Sequence, residues 1–219
     1  MAHHGSTDTI AETAYRRIED MIVRRELPPG SMISENQLAD ELGCGRTPIR
    51  EALQRLRLEG FVEIHPRRGV LVSPIDVRRQ LELLEVRRAL DTRVASLAAA
   101  RATGAERTEM RRLAAEMKDA ARHRDTIRYL AANRAVHGIK AAATRNGVME
   151  TMLAAINGLS RRFWYSYVED TDAFREAAEL HSAILIAIAD GDAAAAVLAA
   201  DALLDFLERL TRAAIEPKG

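Results

Sequence analysis

The run Gly45-Arg46-Thr47-Pro48-Ile49-Arg50-Glu51-Ala52-Leu53 leaves this chain few folds to choose from. It reads as a helix entered at Thr47, whose hydroxyl can cap the first free backbone N–H groups. Pro48 then sits at the first helical position, where its missing N–H is no loss. On a 3.6-residue wheel Ile49, Ala52, Leu53 and Leu56 gather on one side, while Thr47, Arg50, Gln54 and Arg57 gather opposite, with Arg46 at their leading edge. Such a helix must bury one face, and it presents guanidinium, amide and hydroxyl groups on the other.

The flanking segments give that helix a setting. Ser34-Glu35-Asn36-Gln37 has the form of a capping box, Leu38, Ala39 and Leu42 supply the apolar side of a short helix, and Gly43 ends it. Gly43-Cys44-Gly45 is a joint of helix-turn-helix length. Beyond Gly60, Phe61–Ile64 reads as a strand, His65–Gly69 as a turn and Val70–Val72 as the returning strand. Ile10–Arg25 carries Ile10, Ala14, Ile18 and Met21 or Ile22 at helical spacing and would pack behind this pair. The outcome is a winged helix-turn-helix with a two-stranded wing. From Gly43 to Val72 six arginines face Glu51, Glu59 and Glu63, and four of the six stand where a groove-reading helix and a backbone-straddling wing need them.

Net charge gives no such support. The whole chain balances 32 basic against 32 acidic residues, and the first 75 positions hold ten arginines against eleven acids. Binding to DNA must therefore rest on a few placed contacts, doubled by a dimer, and not on a broad positive field. Pro28-Pro29-Gly30, Ser34-Glu35, Leu38-Ala39, the run Arg46–Leu53, Leu58-Glu59-Gly60 and Arg68-Gly69-Val70 follow one another in an order that closely resembles the GntR family of bacterial transcription regulators. The resemblance implies that Arg46 and Arg50 read base edges in the major groove and that Thr47 meets phosphate. It gives Arg67, Arg68 and Gly69 the DNA backbone and minor groove, with Gln54 on the same reading face.

After Ser73-Pro74-Ile75 prolines vanish until Pro217 and alanine and leucine dominate. This reads as an all-helical bundle of about six helices, near 76–101, 105–123, 125–144, 148–167, 172–189 and 192–215. The fold class is thus mainly α, with domains at 9–73 and 77–215, a linker at 74–76 and a disordered tail at 1–8. Glu85–Asp91, Ala98-Ala99, His137, Asn146-Gly147, Leu180-His181 and Asp190-Gly191-Asp192 with Ala196 resemble, in order, the FCD-type effector domain of the FadR subfamily.

Many domains of that type hold a divalent metal with one Asp and three His. Carried over, the His positions are His137 and His181, the Asp position is Asn133, and the third His falls at or near Leu203. Three readings stay open: a zinc, nickel or manganese ion on His137 and His181 with Asn133; a hydrogen-bonded histidine pair without ligand; and a metal-free pocket. The last is the working expectation, with Arg87, Arg88, Asn133, His137, His181 and Trp164 holding a small carboxylate, which an arginine fork suits. Phe163 and Trp164, in the aromatic stretch 163–167, are otherwise core.

No glycine-rich phosphate loop, nucleophile elbow or HExxH motif occurs, so an enzyme is not expected. One cysteine, Cys44, allows no internal disulfide, and no stretch approaches 18 apolar residues, which points to the cytoplasm and away from membranes. The expectation is a homodimeric repressor that reads a palindromic double-stranded operator and answers to a small organic acid. The alternative is a helical interaction module, or a regulator with no working effector or metal site.

Overall fold

The computed structural model describes residues 9–66, 68–167 and 171–214. Met1–Asp8, Arg67 and the end of the last expected helix lie outside them. The chain divides into two compact units, 1–75 and 76–219.

In the first unit α1 spans Ile10–Val23, β1 Met32–Ile33, α2 Glu35–Leu42, α3 Arg46–Leu58, β2 Val62–His65 and β3 Gly69–Val72. Thr9 caps α1 by accepting from the Glu12 N–H at 3.1 Å. The helix stops two residues short of the expected Arg25, because Arg25 takes a left-handed φ of 62°. α1 lies against α3, and Ile18, Ile22, Ile49, Leu53, Leu56 and Phe61 are fully buried between and beneath them.

Three local expectations are corrected. Gly45, in an extended conformation, takes the N-cap of α3, so Thr47 is the second helical residue and Pro48 the third. Pro48 is still tolerated, since none of the first four N–H groups has an intrahelical carbonyl to meet. At α2 Ser34 accepts from the Asn36 N–H at 3.2 Å, a single cap in place of the reciprocal box with Gln37. Finally, the wing is three-stranded in the order β1-β3-β2, antiparallel throughout. β1 is two residues long and was invisible to a strand pattern. It explains Gly69, whose φ is 111° and where a Cβ would come within 3.0 Å of the Ile33 carbonyl oxygen.

The second unit contains α4 Val77–Arg101, α5 Gly104–Arg122, α6 Thr126–Ala143, α7 Gly147–Tyr167, α8 Thr171–Asp190 and α9 Ala193–Ala213, close to the six expected helices. Asp76, Thr103, Asp125 and Asp192 cap α4, α5, α6 and α9, and Thr103 with Glu106 forms a reciprocal capping box. α4 packs most extensively on α9, and α5 on α8. Alanines at 98, 114, 120, 178, 196 and 200 are buried in that core, which lets the helices approach closely. Arg107 ties the far ends of α4 and α8 together, donating to the carbonyls of Ala99 and Ala189, each at 2.9 Å.

Candidate DNA-reading face and effector cavity

The buried stripe Ile49-Ala52-Leu53-Leu56 fixes the rotation of α3, and so fixes what the helix shows. Arg46, Thr47, Arg50, Glu51, Gln54 and Arg57 are exposed. Thr47, Arg50, Glu51 and Gln54 line one shallow groove with Arg55 and Leu58. With glycine at the cap, no cap side chain meets the first N–H groups of α3. Gln54 accepts from Arg57 Nε at 3.1 Å. Arg50 is held by Glu35 of α2: its Nη2 donates at 2.9 Å and its Nε at 3.3 Å to the same carboxylate oxygen. Arg55, on the flank, is committed elsewhere. It stacks over the Tyr15 ring at 3.7 Å and pairs with Glu12 and Glu59, and Tyr15 donates to Glu59 at 2.7 Å. At the wing Arg68 is exposed and its N–H closes the turn onto the His65 carbonyl at 3.1 Å.

The helical unit encloses a cavity of about 30 Å³, room for one or two waters. Arg87 reaches it from α4, Asn133 and His137 from α6, Asn157, Arg161 and Trp164 from α7, and His181 from α8; Tyr129, Phe174 and Leu207 supply apolar walls. Four of the six expected effector residues, Asn133, His137, His181 and Trp164, therefore come together, with Arg87 as a fifth whose fork is already used. Arg87 Nη2 and Nε donate to one Asp91 carboxylate oxygen at 2.8 and 3.1 Å, and Nη1 donates to Ser160 at 2.9 Å. Arg88 is not at the cavity. It faces α9, where it pairs with Asp201, Asp205 and Glu208, because the residue after a buried helical position turns away by about 100°.

Asn157, Arg161 and Tyr129 were missed. For the first two the signal lay in α7, where 157, 161 and 164 recur at helical spacing, so that one face of the helix turns to the cavity. Phe163 is core, as expected, and Trp164 both lines the cavity and stacks on Phe206 with ring centroids 5.7 Å apart.

The polar atoms in the cavity are unevenly served. Asn133 Nδ2 lies 3.3 Å from His181 Nε2. An amide nitrogen can only donate, so in this orientation Nε2 accepts and the neutral ring carries its proton on Nδ1. Among the described residues that Nδ1 has no hydrogen-bond partner, and neither has Asn157 Oδ1. His137 meets the His181 ring edge-on, centroids 5.3 Å apart. Burial holds both histidines well below the usual imidazole pKa, and the charges of Lys140 and Arg87 push the same way.

A dication does not fit these residues well. Among the described residues no three His, Cys, Asp or Glu side chains gather as a ligand set. Leu203, at the third histidine position, is buried in the apolar core, Asn133 is engaged with His181, and the nearest charges are positive. The chemistry the arrangement can supply is that of donors and excess positive charge around a small enclosed space.

Among the described residues no helix is long and apolar enough to cross a membrane. Comparison with known proteins matches residues 10–72 to the family of bacterial regulatory proteins called gntR and residues 82–206 to the FCD domain. The Nta operon transcriptional regulator of Aminobacter aminovorans is 30% identical over 170 residues, 78% of this chain and 79% of that one. An uncharacterized HTH-type transcriptional regulator in an unstable DNA locus of Streptomyces ambofaciens is 39% identical over 77 residues, 35% of this chain; the match spans only 33% of that protein's length. The solved structure of Escherichia coli McbR/YncC superposes with a TM-score of 0.81 at 19% identity, covering 94% of this chain and 98% of that one, which establishes the shared fold. The relatives are transcription regulators, not enzymes. With a gntR-type reading head and an FCD domain matched in order along it, the chain belongs to the GntR family of DNA-binding transcription regulators.

Proposed function

We propose that the protein is a cytoplasmic, homodimeric repressor that reads a palindromic operator and is controlled by a small organic anion held in the helical unit without a metal. In this reading Arg46 and Arg50 contact base edges, Gln54 lies along the same groove, and Thr47 with the uncapped start of α3 meets phosphate. Arg68 and Gly69, with Arg67 outside the described residues, follow the backbone beside the wing. Two copies supply two half-site readers, and a palindrome mirrors their two-fold symmetry. Val148 and Met152, exposed one turn apart on α7, are suited to a contact between copies.

One observation carries the effector reading. The cavity combines a buried unpartnered donor, His181 Nδ1, with surrounding positive charge from Arg87, Lys140 and Arg161. An oxyanion would satisfy the donor and offset the charge, and Asn157 Oδ1 would accept from a hydroxyl on the same ligand. Binding that favours one arrangement of the two units over another would shift DNA affinity.

The volume favours a second reading. Some 30 Å³ holds no organic acid until side chains move, and a regulator with no effector needs no more space than that. Titration calorimetry with a panel of mono- and dicarboxylates, with and without a chelator, decides between them. Saturable binding that survives the chelator and is lost in Arg161→Gln supports the anion site. Binding that needs added zinc, nickel or manganese would replace it with a metal site, and no binding by any panel member would leave the effector-free regulator.

A further inference from the structure

Arg50 has a side-chain partner across the helix-turn-helix: 63% of its side chain meets solvent, and the carboxylate of Glu35 meets one edge. The geometry of that meeting is selective. Glu35 Oε2 accepts from Nη2 at 2.9 Å and from Nε at 3.3 Å, and Oε1 lies 3.5 Å from Nε. The carboxylate thus occupies the Nε edge of the guanidinium plane. A guanidinium has five N–H bonds. With Nε–H and one Nη2–H taken, both Nη1–H bonds and the second Nη2–H remain, and these form the end-on fork that fits guanine O6 and N7.

We propose that Glu35 is a positioning residue for sequence reading: it holds Arg50 in plane so that only its end-on fork faces the groove. This rests on Arg50 being a base reader. Glu35 is the first residue of α2 and Arg50 the fifth of α3, so the pair also spans the two helices of the motif. An untethered arginine has several rotatable bonds and can turn to a phosphate, which carries no sequence information. A tethered one has less orientational freedom to lose on binding, and it loses it in one register. A carboxylate is repelled by phosphate, and both oxygens of Glu35 are turned to Arg50. Its contribution goes through Arg50.

The test uses the full-length protein and a pool of random duplexes. Wild type is selected for its preferred site, and affinities are then measured for that site and its single-base-pair variants with wild type, Glu35→Gln, Arg50→Gln and the double variant. The carboxamide keeps the size of the side chain, and thermal unfolding checks that the unit stays folded. Arg50→Gln should lose about tenfold or more of the discrimination at one symmetric base-pair position. Glu35→Gln should lose roughly two- to five-fold at that same position and nowhere else, the range an exposed ion pair commands, and should add no further loss on top of Arg50→Gln.

If Glu35→Gln binds every duplex more tightly by one common factor, Glu35 is a competitor for Arg50 and the proposal is overturned. It is also overturned if Arg50→Gln alters the position and Glu35→Gln does not; the DNA-reading assignment of Arg50 then stands. If neither substitution changes any position while wild type still selects a site, Arg50 is no base reader and both ideas fail.

Discussion

Arginine is used in two opposite ways in the two units, and exposure separates them. Arg50 keeps 63% of its side chain in solvent and one edge on Glu35, and Arg87 keeps 3% and commits Nε, Nη1 and Nη2 to Asp91 and Ser160. In water the first pairing is weak and exchangeable, so the residue can be handed to DNA with little loss. Inside the bundle the second is fixed, because a charge removed from water must be paired and hydrogen-bonded. An exposed arginine paired in this way stays available to a partner, whereas a buried one builds a cavity.

The contrast breaks most sharply at Arg87. Arg87→Met leaves the buried Asp91 without its hydrogen-bonded cation, and should cost the helical unit about 3 kcal/mol or more in denaturant unfolding. Adding Asp91→Leu should recover most of that loss, since removing both partners of a buried pair is often neutral. Arg50→Ala, by comparison, should leave the unfolding midpoint where it is and act only on DNA affinity. An Arg87→Met protein as stable as wild type would mean that the pair is not a structural element at all.

Legibility followed the same division. The exposed face of α3 was fully encoded, because the apolar stripe of the helix points one way and whatever lies opposite is exposed. The residues Arg46, Thr47, Arg50 and Gln54 could be placed on that face without any knowledge of the partner helices. The six helices of the second unit were equally legible, from the loss of proline, the alanine- and leucine-rich composition and the breaks near Gly104, Gly147 and Gly191. What failed were features made by two segments at once. β1 exists only because β3 passes it, and the Glu35–Arg50 pair only because the turn brings α2 back over α3. The cavity was half legible: the resemblance to the FCD-type domain gave Asn133, His137 and His181, but Arg87 and Arg88 are adjacent in sequence and only packing on α9 decides which faces inward.

Acid should sharpen the comparison next. Burial lowers the pKa of His181, with Lys140 and Arg87 adding to it, and His137 is pushed the same way by burial and by Lys140, His181, Arg87 and Arg161. The unfolded chain takes up a proton near the ordinary 6.5 that the folded His181 refuses. Stability of the helical unit should therefore fall as pH drops below about 6.5, by up to roughly 1.4 kcal/mol per pH unit for that one group. Glu106, held at about 2 by Arg145 and its capping hydrogen bonds, acts in a separate window, losing its contribution only as pH falls from about 4.5 toward 2. Unfolding at pH 7, 6 and 5.5 in wild type and His181→Asn measures the slope, and an identical slope in the variant would show that His181 is not the neutral group.

The smallest effect, and the most discriminating one, concerns Lys140. It is buried beside Asp91, and desolvation brings its pKa down to about 8, with Asp91 opposing that shift and Arg87 adding to it. Asp91 already has Arg87, so Lys140→Met should change stability by about 1 kcal/mol or less at pH 7, and in either direction. Its signature is in the pH dependence. Between about 8 and the ordinary 10.5 the unfolded lysine still holds its proton while the folded one has released it, so wild type should gain stability relative to Lys140→Met as pH rises from 7.5 to 9. A constant difference across that range would mean that Lys140 stays charged, and the cavity beside it would then carry one more fixed positive charge for an anion to answer.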